Sequence, residues 1–255
     1  MTLDWKFLAK QAKIKGYFEV EGEHFPFEVV REKRRLQARF ALTGKKAILR
    51  VPYVCDASAM TRLWPEFEQW VFSTLQARPD LHRAVVGRTY EDGSTLEVFG
   101  REYHISIREE VRNGHHGRIV GRHIQLALAL GDTPVNRRKS IKHLISRLVA
   151  KDCAPEFIRR VDELNFLFFQ KEINGIHFKY NQSNWGSCSS NKNLNFSTRL
   201  LFAPLEVIDY LIIHELSHLT YMDHSDQFWA LVENAMPEYR RAERWLKENG
   251  HLCIF

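Results

Sequence analysis

No stretch of this 255-residue chain approaches the roughly 18 uninterrupted apolar residues of a membrane span, so no spanning helix is expected. It also lacks the charge-poor opening of a secretory leader, since Asp4, Lys6, Lys10, Lys13 and Lys15 crowd its start, and neither a signal peptide nor a membrane anchor is expected. Cysteine is scarce: Cys55, Cys153, Cys188 and Cys253 show no C-x-x-C spacing, which argues against a disulfide framework and a cysteine-based zinc knuckle. A reducing, cytoplasmic compartment is the expectation. No low-complexity linker and no internal repeat is visible.

Negative charge is in deficit, with 37 Lys and Arg against 31 Asp and Glu, a net +6. The excess lies early: residues 1–130 hold 21 basic and 16 acidic side chains, the remainder 16 and 15. Within 31–50, Arg31, Lys33, Arg34, Arg35, Arg39, Lys45, Lys46 and Arg50 face a single Glu32, a density that suits phosphate as well as solvent. At about 150 residues per domain the chain makes one large or two small domains. Hydrophobic residues at 44% and charged ones at 27% place it among globular proteins rather than disordered ones.

Between Gly16 and Tyr53 the strand formers Tyr17, Phe18, Val20, Phe25, Phe27, Val29 and Val30, and the alternation of Leu36, Ala38, Phe40 and Leu42, predict an antiparallel meander with a basic outer face. A helix is expected after Trp64, with Pro65 in its first turn. Thr95 to Phe99 and Tyr103 to Arg108, separated by Gly100, predict a hairpin, and His123 to Leu130 a further strand. From Thr133-Pro134 the period becomes helical, with Thr133 as cap and Pro155 expected to kink or divide the helix. The fold class read from this order is α+β: a β-rich region over residues 1–131, then a helix-rich region with a small sheet over 132–255.

The segment from Leu205 to Leu219 is apolar enough for a buried helix, yet carries His214, Glu215 and His218. Histidines four apart project from one helix face at successive turns, the spacing that lets two imidazoles grip one zinc ion. Catalytic zinc takes a third protein ligand and keeps one position open, and His224 is the candidate, far enough along for the chain to end the helix and turn back. Glu215, beside the first ligand, is the candidate general base and acid for a zinc-activated water. An H-E-x-x-H pattern arises by chance in such a chain about 4% of the time, and a third histidine at one fixed offset lowers that to roughly 0.2%.

Around this motif run Asn184-Trp185-Gly186-Ser187-Cys188-Ser189, Asn193-Leu194-Asn195-Phe196, Arg199-Leu200, Pro204, Tyr210, His224-Ser225 and Phe228-Trp229, with Pro237, Tyr239 and Trp245-Leu246 beyond. This set resembles the YgjP-like metallopeptidases, and the likeness extends loosely to Val51-Pro52 and the Gly93 to Tyr103 hairpin. The resemblance implies a zincin-like fold for the C-terminal half, one Zn2+ on His214, His218 and His224, and Glu215 as acid/base. The spacing of the second and third histidines is also similar to that of the SprT- and Wss-related proteases, a fold-level analogy to enzymes that cleave protein crosslinked to DNA.

Several neighbours are candidates for lesser roles. Leu194 to Ser197 reads either as an edge strand over the metal helix, with Asn195 available to substrate, or as an ordinary core strand. Trp185-Gly186 reads as a turn with an aromatic plug, and Cys188 as a small packed residue with a minor chance of approaching the metal as thiolate. Tyr210 and Tyr221 are candidate donors to a reaction oxyanion, with packing or capping the commoner role. Arg199 could clamp a substrate carboxylate or pair with one of the chain's own acids. His115-His116 reads as an exposed loop.

The leading function is therefore a zinc peptidase acting on a peptide or protein; a hydrolase of a non-peptide amide would use the same residues. A different class is a DNA-associated protein that docks phosphate through Arg34, Arg35 and Arg39, its metal site acting on bound protein or serving structure. A purely structural zinc is disfavoured because Glu215 has no use beside a closed site. Oligomeric state and substrate sequence are not encoded legibly.

Overall fold

A computed structural model describes residues 13–181 and 183–255. The leader-free reading of Asp4, Lys6 and Lys10 lies outside the described residues. The chain divides into two compact units at Gly87 and Arg88, upstream of the Gly131 boundary expected from the switch to helical period.

In the first unit, β1 (Lys13–Val20) and β2 (Glu23–Glu32) form a hairpin through Glu21-Gly22. Both turn residues have positive φ, +48° and +81°, as the twist of a two-residue hairpin demands. β3 (Arg39–Leu42) and β4 (Ala47–Pro52) follow, in the sheet order β1-β2-β4-β3. The expected meander is thereby corrected: β4 inserts beside β2 and runs parallel to it, because the stretch between Glu32 and Ala47 is long enough for a crossover. α1 (Ala57–Ala77), capped by Asp56 Oδ1 accepting from Ala59 N at 2.7 Å, then lays Trp64, Phe67 and Val71 against Phe18, Phe27 and Leu49. It starts before Trp64, so Pro65 is internal. Pro65 and Thr61, whose carbonyl loses its donor, are both exposed, so water can satisfy the break. α2 (Pro79–Val86) ends the unit.

The second unit opens with the same plan. β5 (Thr95–Val98) and β6 (Arg101–Glu110) turn through Phe99-Gly100 at φ +51° and +64°, and β7 (His116–Val120) and β8 (His123–Ala129) complete the order β5-β6-β8-β7. Again the central pair, β6 and β8, is parallel and the flanking pairs antiparallel. Each unit thus contains four strands in the order one-two-four-three followed by a long helix. This is a structural repeat that the sequence reading missed, since in the first hairpin only Glu19/Glu97, Val20/Val98, Gly22/Gly100, Glu32/Glu110 and the alternating apolar positions correspond.

α3 (Pro134–Phe168) runs unbroken through Pro155, correcting the expected division; Pro155 and Lys151 four residues earlier are both exposed. Thr133 caps it as expected, its Oγ1 accepting from Asn136 N at 3.2 Å. The apolar face of the preceding sheet, Tyr103, Ile105 and Ile124, shares one core with Ile141, Ile145 and Phe157 of this helix. The strands of 95–129 therefore belong with the C-terminal region rather than with residues 1–87.

A three-stranded sheet follows, built from β9 (Gly175–Lys179), β10 (Gly186–Cys188) and β11 (Asn193–Ser197) in the order β10-β11-β9. Beyond a 3-10 turn over Thr198–Phe202 come α4 (Leu205–Ser217), α5 (Asp226–Ala235) and α6 (Tyr239–Asn249). Val207, Ile208, Leu211, Ile212, Ile213 and Leu216 bury nearly the whole circumference of α4, each side chain worth about 1.5–3 kcal/mol relative to exposure. A two-pronged ion pair from Arg160 of α3 to Asp209 of α4, at 2.8 and 2.7 Å, fixes one helix against the other. The architecture is α+β, and among the described residues no helix is long and apolar enough to cross a membrane.

Candidate active site

α4 carries His214 and Glu215 in its last turn, and His218 follows as its C-cap. The chain then closes on itself: Leu219 N bonds to Leu216 O, and Thr220 N and Tyr221 N to Ser217 O, each at 3.0 Å. This tight exit brings the exposed His224 back over the helix. The three imidazoles offer ligand atoms that all lie within 4.8 Å of one another, the one such metal-capable cluster among the described residues. His224 Nε2 stands 3.2 Å from His214 Nε2. Two nitrogens bound at 2.0–2.1 Å to one tetrahedral ion lie about 3.4 Å apart, so the spacing fits zinc.

Protonation states agree with that fit. His218 Nδ1 lies 3.0 Å from the carbonyl of Tyr221, which can only accept, so the proton sits on Nδ1 and Nε2 presents its lone pair. Burial, and then the neighbouring His218 and His224, pushes His214 down to about 3; burial likewise lowers His218. Both are neutral at physiological pH, the form a metal requires.

Glu215 is 3% exposed, and burial pushes its carboxyl up to about 8. Its Oε2 is buried with no hydrogen-bond partner among the described residues. Leaving such an atom unpaired costs about 1–3 kcal/mol, a cost folds rarely accept away from functional sites. The main chain of Gly186 in β10 packs against this side chain with no room for a Cβ. That contact was missed: Gly186 is a strand residue, not part of a turn, and its only signal in the sequence is a glycine inside a short strand.

The other candidates separate. Tyr210 is buried, its ring 6.0 Å from that of His214 and stacked on Tyr239 at 6.2 Å, and burial raises its phenol. Tyr221 serves His218 through its backbone carbonyl rather than its phenol, a role the sequence reading did not foresee. Arg199 is engaged within the fold. It is 9% exposed, donates from Nε to Cys253 O at 2.7 Å and from Nη2 to Gly250 O at 2.8 Å, and lies 4.5 Å over the Trp185 ring. Two backbone carbonyls, those of Gly250 and Cys253, accept from it.

Asn195 sits on β11, opposite Ser187 and His177, so its strand is central; the outer strand that carries Gly186 against Glu215 is β10. The Cys188 thiol is pushed up to about 11, by burial first and by Glu215 second, which keeps it protonated. His115 is not a free loop residue: its Nδ1 accepts from Ala129 N at 3.1 Å and its Nε2 lies 2.7 Å from Asp132, while His116 begins β7. In the basic segment Arg34 and Arg39 are exposed, whereas Arg35 and Arg50 pair with Glu32 and Lys46 pairs with Glu28.

Three histidines converge on one point, a cluster that could hold a metal ion, and the next residue after His214 is a buried glutamate. Residues 15–249 match the family described as YgjP-like, metallopeptidase domain, and the chain belongs to that family. It is 22% identical over 99 residues to the UTP pyrophosphatase of Escherichia coli (strain K12), covering 36% of this chain and 59% of that relative's length. Two solved structures are similar over 36% of this chain. The metallopeptidase zymogen of Pyrococcus abyssi abylysin is 18% identical, covered over 93% of its chain, with a TM-score of 0.33. That of Methanocaldococcus jannaschii jannalysin is 22% identical, covered over 94%, with a TM-score of 0.33.

Proposed function

We propose that the protein is a zinc-dependent peptidase whose metal is held by His214, His218 and His224 and whose general base and acid is Glu215. The observation that carries this reading is the buried Oε2 of Glu215, without a hydrogen-bond partner among the described residues, on the helix turn where three imidazoles converge. A zinc ion in that position supplies Lewis acidity, polarising a carbonyl and acidifying water. Glu215, as the carboxylate, accepts the proton of the attacking water and returns it to the leaving amine. β10 is an outer strand of its sheet, and an extended peptide could lie along its edge once Asn184 Nδ2 releases Gly186 O. The four free cysteines suit a reducing compartment such as the cytoplasm.

The test combines elemental analysis with turnover of a peptide library by untagged protein. Wild type should carry about one zinc per chain, His218→Ala should lose it, and Glu215→Gln should keep it while losing cleavage. Unchanged cleavage by Glu215→Gln overturns the assignment of the base.

A second reading, hydrolysis of a phosphoanhydride, is favoured by the name of the Escherichia coli relative. The same proton transfer by Glu215 would serve it. Offering UTP beside the peptide library separates the two: release of pyrophosphate that disappears in Glu215→Gln, with no peptide cut, selects the second reading.

A further inference from the structure

Away from the metal site, β9 ends the three-stranded sheet, and among the described residues its outer edge makes no backbone hydrogen bond. Alongside it runs a groove of about 400 Å³ walled on the other side by α3. Two stripes of the helix face this groove, each with a step of four residues. Ala150, Ala154 and Ile158 form a low apolar floor, and His143, Arg147 and Lys151 form the rim. Arg147 and Lys151 are exposed, and neither has an ion-pair partner among the described residues. Among the described residues no carboxylate lines the groove.

An unpaired strand edge is a template for a further strand, and here the template lies beside a row of cations. The periods agree: four residues of helix rise about 6 Å, and every second residue of a strand advances about 6.6 Å. A strand added to β9 would therefore present one face of its side chains to successive rim residues. From His143 to Ile158 the helix spans about 22 Å, the length of six or seven extended residues.

We propose that the groove between β9 and α3 binds an extended acidic peptide segment with carboxylates at alternate positions, by strand addition to β9 and ion pairing to Arg147 and Lys151. The apolar floor accommodates small side chains of the same face, and main-chain hydrogen bonds give an affinity that charge alone would not. The site stands apart from the catalytic reading and does not depend on it.

The experiment uses the full chain carrying Glu215→Gln, so that no peptide is cut, and a fluorescently labelled peptide of about eight residues alternating Glu with Thr. Anisotropy should report binding that weakens with salt and falls at least about tenfold in Arg147→Glu/Lys151→Glu, both exposed positions. Methylating the peptide's alternate amide nitrogens should weaken it comparably, and the peptide should slow amide exchange in β9. Absence of binding at low salt overturns the proposal. So does binding indifferent to N-methylation, or a single-stranded oligonucleotide that binds more tightly at the same cations, since either would make the groove a simple polyanion surface.

Discussion

The main chain of Gly186 lies against the arm of Glu215 so closely that a Cβ at residue 186 would stand 2.8 Å from both Cγ and Cδ. Carbon atoms at that distance must move apart, and the glutamate, on the last turn of α4, is the more mobile partner. Gly186→Ala should therefore displace the carboxyl by a large fraction of an ångström. Displacement on that scale costs about 10²-fold in turnover. The expected outcome is a fall in kcat of that order with the zinc content unchanged, read by peptide cleavage and elemental analysis. Wild-type kcat in the variant would show that the carboxyl does not need this position.

Arg199 spans the 3-10 turn before α4 and the C-terminal carbonyls of Gly250 and Cys253. Its removal leaves two buried acceptors without their charged donor and uncovers Trp185. Arg199→Ala should destabilise the fold by about 3 kcal/mol, and Arg199→Lys should recover little, because an ammonium cannot reproduce a planar fork. Urea unfolding measures the loss. KM for peptides, measured well below the transition, should stay at the wild-type value; a large rise in KM would return Arg199 to the role of substrate clamp.

The closeness of His214 and His218 was legible because a helix converts a four-residue spacing into adjacency: His214, Glu215 and His218 need no tertiary information to share a turn. The Phe99-Gly100 hairpin and the Thr133 cap were legible for the same reason, both being local. What failed was long-range. The boundary at Gly87 depends on Tyr103 and Ile105 packing with Ile141 and Ile145, for which no change in composition gives warning. The repeat was hidden because a four-stranded sheet needs only alternating apolar residues and a positive-φ turn, which Phe25, Phe27 and Val29 supply as well as Tyr103, Ile105 and Ile107 do. The proximity of Gly186 to Glu215 arises only once β10 is laid on α4.

Cys253 is 2% exposed, and burial, opposed by Arg199 and Arg88, pushes its thiol up to about 11 from an ordinary value near 9. The folded state therefore favours the protonated form. Its contribution to stability is fully present below about pH 9 and is lost as pH rises towards 11, where the unfolded chain ionises first. Two pKa units correspond to about 2.7 kcal/mol at the upper end of that window. Thermal unfolding followed from pH 8 to 11 should fall less steeply in Cys253→Ala than in wild type; parallel slopes would place the alkaline loss elsewhere, in the buried tyrosines.

His224, the exposed histidine of the cluster, sits on a loop and is held by aromatic packing rather than by the helix. Its ring stacks on Trp229 at 5.9 Å and 28°, and Trp229 stacks in turn on Tyr239 at 5.4 Å and 18°. A ligand left to swing pays its ordering entropy when the metal binds, and outer contacts of this kind change metal affinity by about 10–100-fold. Trp229→Ala should accordingly raise the zinc dissociation constant by about tenfold or more, with Trp229→Phe recovering part of it because a smaller ring still covers the imidazole. Competition with a chromophoric chelator measures both. Because bound metal stabilises only the folded chain, the weaker site should also gain less stability on adding zinc, by about 1.4 kcal/mol for each tenfold loss of affinity at saturating metal, and so show a smaller rise in Tm. Equal affinities for wild type and Trp229→Ala would mean that the loop itself, through Asp223 Oδ1 accepting from Ser225 N at 3.4 Å and the turn that follows His218, is sufficient to hold His224 in place.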